Sequence, residues 1–110
     1  MHRTPQDLLP GSLDALILKG LQGEARHGYA ISRWVRERTQ GIIEVEDAAL
    51  YKALGRMTDR GWVTSEWGVS DRGRRAKFYQ LTDSGRRALE AETRTWKVFS
   101  LAVNRVLDTG

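Results

Sequence analysis

The sequence contains no cysteine, which excludes a disulfide framework and any thiolate metal site. It has only two histidines, His2 near the terminus and His27 beside a glycine at the start of a helical pattern. Neither has a paired carboxylate cluster, so a metal site has little to build on. His27 suits a structural or phosphate-contact role better than that of a general base. The acidic group Glu44, Glu46 and Asp47 reads as a helix cap with solvated neighbours more readily than as a hard-cation site. The run "DRGRRAK" has one glycine and lacks the phosphate-loop pattern, so nucleotide hydrolysis has no support. No cofactor and no enzymatic activity are expected. No apolar run approaches the roughly 18 residues of a membrane span, and "MHRTPQDLLPGS" lacks the apolar region of a signal peptide. These absences together fit a cytoplasmic, redox-insensitive protein with no membrane partner.

What is present is an ordinary globular composition, 40% hydrophobic and 29% charged with two prolines, in 110 residues. The net charge of +4 is concentrated in one place. Residues 70–87 hold Arg72, Arg74, Arg75, Lys77, Arg86 and Arg87 against Asp71 and Asp83, while the segments on either side are each neutral. A solvated charged loop is one account of this. An anion-binding tip facing a nucleic-acid backbone is the other.

Apolar residues at helical spacing recur along the chain. Leu9, Leu13, Leu16, Ile17 and Leu21 form a first stripe, with Leu8 and Leu18 beside it and Ser12 as a candidate cap. "GEARHG" is a glycine-bounded turn. Ala30, Ile31, Trp34 and Val35 form a second helical face over residues 28–40, closed by Gly41 in the left-handed conformation that glycine favours. "IIEVE" (42–46) alternates as a brief strand does, and Asp47 then caps a third helix with Leu50, Ala53, Leu54 and Met57 inward, ended by Gly61. Residues 62–69 and 75–81 alternate as two strands. The segment between them contains Asp71 and Gly73, so the pair reads as a hairpin with the cations at its tip. Thr82 or Asp83 caps a last helix reaching about Leu107, roughly 37 Å long at the usual rise per residue.

Helix, helix, helix and hairpin is the plan of a winged helix-turn-helix. The fold class is therefore α+β, mainly α with a small β-hairpin, plus one long C-terminal helix. A helix entering a major groove about 12 Å wide needs small or polar residues on its outer face. Opposite Leu50, Leu54 and Met57, the third helix offers Ala48, Ala49, Lys52, Gly55 and Arg56. The hairpin arginines suit the flanking backbone or minor groove. Double-stranded DNA is thus the expected partner. A winged-helix module that docks on another protein is the alternative, although such a wing has no need of four cations.

The segments "LLPGSLDALILKGL", "RHGYAIS", "ALYKALGRMTDRGWVTSEWG" and "RRAKFYQLTDSGRRAL" resemble, in order and spacing, the PadR family of bacterial transcriptional regulators. The likeness is greatest to its short subfamily with a single C-terminal helix, and it spans roughly residues 8–107. It implies a homodimeric winged-helix DNA-binding protein that is not an enzyme. It further implies a repressor at a palindromic operator, released by a small molecule or a stress signal. By motif, "HGY" assigns Tyr29 to a phosphate contact, "ALY" places Tyr51 near the backbone, and "RRAK" puts Arg74, Arg75 and Lys77, with Arg72 beside them, in the wing. Two departures from the family pattern involve three positions. Ala48 and Ala49 stand where Gly-Ser or Gly-Thr is usual, and Lys52 stands where proline is usual. Both departures imply an altered sequence preference.

The last helix carries a heptad stripe of Leu89, Trp96 and Val103 with Glu92, Phe99 and Val106. Val98 and Leu101 lie on roughly its other side. One side can pack on its own domain, and the other would remain an exposed apolar patch unless a two-fold partner covers it. Residues 1–81 are therefore read as the DNA-binding domain and 82–110 as a dimerisation helix. Leu13, Leu89, Trp96, Phe99, Val103 and Val106 are its expected interface. Trp96 and Phe99 are candidates to stack a small aromatic effector between subunits, a use that some relatives make of this position, with plain interface packing as the other account. Trp34 and Trp67 are read chiefly as core residues, and Trp62 as structural.

Overall fold

In the computed structural model, which describes residues 2–110, a 3-10 helix spans Pro5–Gly11 and α1 follows at Leu13–Gly20. The order continues with β1 (Arg26–His27), α2 (Gly28–Arg38), α3 (Asp47–Asp59), β2 (Val63–Val69), β3 (Arg75–Leu81) and α4 (Asp83–Leu107). Leu9, Ile17, Leu18, Leu21, Ile31, Val35, Leu50, Leu54 and Met57 form the centre of one core. Leu18 is fully buried although it lay beside the expected stripe. The reason is that α1 packs against α2, α3 and α4, so it buries more than one face.

Local chemistry explains the boundaries. The α1 start has no side-chain cap, because the Ser12 hydroxyl donates back to the Leu9 carbonyl at 3.3 Å. Gly61 adopts φ 76°, which lets the Gly61 and Trp62 amides return to the carbonyls of Thr58 (3.0 Å) and Met57 (2.9 Å) and ends α3. The α3 cap position is Glu46 and not Asp47, which is the first helical residue. The Thr82 hydroxyl accepts from the Gly85 amide at 3.0 Å, fixing the start of α4.

The strand expected at 42–46 does not form. Val45 is buried and Ile43 half-buried, so the alternation does mark inward and outward residues. Among the described residues no strand pairs with this segment. The Gln6 carboxamide takes the place of a partner strand, accepting from the Glu44 amide (2.9 Å) and donating to the Glu44 carbonyl (2.7 Å). The third strand comes instead from β1, within the segment read as a turn. The sheet order is β1-β3-β2, antiparallel throughout. The hairpin register pairs Val63 with Leu81, Ser65 with Tyr79, Trp67 with Lys77 and Val69 with Arg75. At its tip the Ser70 amide donates to the Arg74 carbonyl (2.8 Å) and the Gly73 amide to the Ser70 carbonyl (2.9 Å). Gly73 has φ 74°, as a short loop of this kind requires.

The base of the hairpin is core and its tip is not. Val63, Tyr79 and Leu81 are buried, whereas Trp67, Val69, Arg75 and Lys77 on the same face extend beyond the body into solvent. Trp67 is therefore a wing residue and not a core residue. Leu89 also departs from expectation, since it is 5% exposed and packs in the core of its own domain, leaving it nothing to offer an interface. Leu13 is half-buried against the same core. Beyond that point α4 leaves the body, which gives the molecule its 54 Å long axis.

Candidate nucleic-acid interface

Three elements meet around an open cleft of about 600 Å³: the start of α2, the first turns of α3, and the inner face of the hairpin. His27 sets the α2 end of this cleft. Its Nδ1 accepts from the Ala30 amide at 3.3 Å, so the imidazole acts as the helix cap. The ring is held parallel to Tyr29 (8° between planes, centroids 6.4 Å apart) and edge-on to Phe78 at 5.2 Å. The cap is a structural role, one of the two that the sequence suggested for this residue, the other being a phosphate contact.

Tyr29 and Tyr51 present half-exposed phenols, 50% and 51% accessible. The Arg33 guanidinium lies 5.4 Å from the Tyr29 ring centroid and steadies it. Tyr51 lies over Gly28 at a separation only glycine permits. A Cβ at position 28 would stand 2.4 Å from the Tyr51 hydroxyl oxygen. Tyr79 lines the floor. Burial, and then the neighbouring Tyr51, push its phenol pKa above the usual value, so it remains a neutral hydroxyl.

On the hairpin side, Arg72, Arg74, Arg75 and Lys77 line the cleft. Trp67 organises two of them, with the Arg75 guanidinium 4.4 Å and the Lys77 ammonium 5.7 Å from its indole. The cross-strand pairing of Trp67 with Lys77, and the diagonal to Arg75, create this arrangement. The residues named from the sequence on the wing and the two tyrosines are thus brought together. Hydroxyl donors and cations around an open concave surface suit an extended polyanion, because they neutralise charge and donate without requiring a particular base.

The outer face of α3 is adjacent. Ala48, Ala49 and Lys52 are exposed there, as expected. Arg56 behaves differently, forming an ion pair with Asp14 of α1 that draws its guanidinium toward the protein body. Residues that sequence reasoning missed are Gly28 and Trp67. The strand alternation already placed Trp67 on one face with Lys77, and its distance from the helices was the missing information.

A second surface lies on α4. Trp96 and Phe99 have ring centroids 6.0 Å apart, and Phe99, Val103 and Val106 are exposed along the same side. Val98, Leu101 and Leu107 are also exposed. Among the described residues no group of three or more acidic, histidine or cysteine side chains is placed to hold a metal ion. No helix among them is long and apolar enough to cross a membrane.

A helix-turn-helix followed by a basic hairpin defines a winged-helix protein of the nucleic-acid-binding type. Known proteins carry the assignment further. The PadR-like family of transcriptional regulators matches residues 17–91. A PadR-like transcriptional regulator from Bacillus cereus strain ATCC 14579 superposes with a TM-score of 0.79 at 27% identity, covering 94% of this chain and 99% of its own. A transcriptional regulator from Clostridium thermocellum gives 0.80 at 25% identity, covering 90% and 96%. A PadR family transcription regulator from Clostridium difficile gives 0.73 at 31% identity, covering 86% and 97%. The chain belongs to the PadR-like family of transcriptional regulators. It is accordingly of the DNA-binding regulator class and not an enzyme.

Proposed function

We propose that the protein is a homodimeric repressor that binds a palindromic operator and leaves it in response to a small molecule or stress signal. The observation that carries this is the convergence of Tyr29, Tyr51 and the wing cations Arg72, Arg74, Arg75 and Lys77 on one cleft beside the exposed face of α3. Phosphates are held by the tyrosines and the wing, and base edges are met by Ala48, Ala49 and Lys52. Arg56 contributes by fixing α3 on α1.

In this reading residues 1–81 bind DNA and 82–110 join two chains. The exposed Trp96, Phe99, Val103 and Val106 supply the apolar stripe, and a partner's stripe removes it from water. Trp96 and Phe99 then also supply the flat surfaces on which a small aromatic effector would stack. Two copies related by a two-fold axis present two α3 helices to half-sites about one helical turn apart.

The test is a titration of the purified protein against the DNA upstream of its own coding sequence, at two salt concentrations, with random duplex as competitor. Preferential binding of two chains per site, weakening steeply with salt, supports the reading. Equal affinity for random duplex would overturn it and favour a protein-docking role for the wing.

A further inference from the structure

The outer face of α3 is chemically sparse, and that sparseness limits what it can read. Ala48 and Ala49 are exposed in its first turn, Lys52 one turn later, and Gly55 beyond it with open space around its Cα. The helical spacing centres Lys52 on this face, between Ala48 and Gly55 on one side and Ala49 and Arg56 on the other. Arg56 is held in its ion pair with Asp14. Tyr51 lies over Gly28. The Thr58 hydroxyl donates to the Leu54 carbonyl at 2.8 Å. Asp59 is the last residue of the helix, far from the N-terminal turn that normally meets base edges.

Each base presents a distinct group in the major groove. Reading adenine takes a side-chain amide, and this face has none. Reading cytosine takes an acceptor; Asp59 lies at the far end of this face, and Asp47, in the first turn, lies well off it. A lone ammonium matches the O6 and N7 acceptors of guanine. Two exposed methyl groups match the thymine C5-methyl, which projects into the groove and needs no hydrogen bond.

We propose that α3 recognises thymine through its 5-methyl group, using Ala48 and Ala49, beside a guanine contacted by Lys52. This rests on the DNA-binding reading above and adds to it the class of half-site. The small side chains allow the helix axis to approach the bases closely, so the methyl contacts form without long side chains. Specificity then comes from shape and apolar contact at the thymines and from one charge-assisted contact at the guanine.

The test begins with selection of preferred duplexes from a random library by the full-length protein. Each thymine of the selected half-site is then replaced by deoxyuridine, which keeps every hydrogen-bonding edge and phosphate and removes only the methyl. Affinity should fall about fourfold at each of two positions, the factor expected for one methyl-sized apolar contact. Ala48→Gly should abolish the thymine–uracil difference at one position and Ala49→Gly at the other. Replacing the guanine with 7-deazaguanine should weaken binding for the parent but not for Lys52→Ala. Specific binding that is indifferent to uracil at every position overturns the methyl contacts while leaving the regulator intact. Selection that enriches no sequence overturns both.

Discussion

The Tyr51 phenol and Gly28 are in contact across the α2–α3 junction, so close that any side chain at position 28 would displace the ring. The contact joins the start of one helix to the first turns of the next and leaves the phenol half-exposed in the cationic cleft. Gly28→Ala should therefore move Tyr51 without disturbing the core, since the obstructed atoms belong to the free end of a side chain. Loss of one hydrogen bond to a phosphate is worth about 1.5–3 kcal/mol, roughly a tenfold or greater loss of affinity. Stability should change less than affinity does, because only the far end of the Tyr51 side chain has to give way. Fluorescence anisotropy with labelled duplex and a thermal melt separate the two effects. Tyr51→Phe should reproduce the loss of affinity, and a full-strength complex with that variant would remove Tyr51 from the interface.

The wing predicts a different signature. Arg74→Ala combined with Arg75→Ala should weaken specific and random duplexes alike. The slope of log affinity against log salt should become shallower by about 0.9 for each phosphate that is no longer neutralised. In the proposed complex Trp67 would act on the same phosphates through Arg75 and Lys77. An exposed cation–π pair contributes about 0.5–1 kcal/mol, so Trp67→Ala should cost a few-fold in affinity, and Trp67→Phe should recover much of it. A normal salt slope in the double variant would show that the wing lies off the backbone.

Much of the fold was legible because periodicity and glycine chemistry agree in this chain. Leu50, Ala53, Leu54 and Met57 mark the buried side of α3, and Gly61 and Gly73 stand at the two positive-φ positions that bound β2 and the hairpin turn. The misread places all depend on what lies alongside. Residues 42–46 alternate like a strand, but only the fold brings Gln6 beside Glu44 in place of another strand. Arg26 and His27 carry no strand pattern and become one through pairing with Tyr79 and Phe78. Leu89 and Trp96 share a helical stripe, and only the point where α4 leaves the body separates the core residue from the exposed one. In the candidate site, the residue types were readable while the ion pair of Arg56 with Asp14, 42 positions earlier, was not.

Two glycines in helices should respond in opposite directions. Gly85 lies against Trp62, where an added Cβ would stand 2.0 Å from the carbonyl oxygen. That oxygen belongs to backbone and also accepts from the Thr82 amide at 3.0 Å, so it cannot yield without shifting the junction between the hairpin and α4. Gly85→Ala should destabilise by about 1–3 kcal/mol or more. Gly55 has open space around it in the middle of α3. Gly55→Ala should stabilise by about 0.5–1 kcal/mol through helix propensity. It should also weaken DNA binding, because the new methyl stands on the face that approaches the groove. Denaturant melts and duplex titrations of both variants check this, and a neutral Gly85→Ala would mean that α4 is not seated on Trp62.

Phe99 is 59% exposed and Val103 and Val106 continue its side of the helix, while the domain core ends at Leu89. A charge placed at Phe99 therefore meets solvent and the neighbouring Trp96 ring in a single chain, but it would be buried in a paired one. Phe99→Glu should leave the thermal stability of the isolated domain nearly unchanged at concentrations where the chain is single, within about 0.5 kcal/mol. It should shift the molecular mass in sedimentation from two chains to one, since an unpaired buried charge costs more than a surface contact returns. Operator binding should fall further than either wing substitution lowers it, because two half-sites are no longer held by one particle. A variant that still sediments as a dimer would place the subunit contact elsewhere on the chain. A parent protein that sediments as a single chain would instead leave the α4 stripe to some other partner and remove the basis for a palindromic operator.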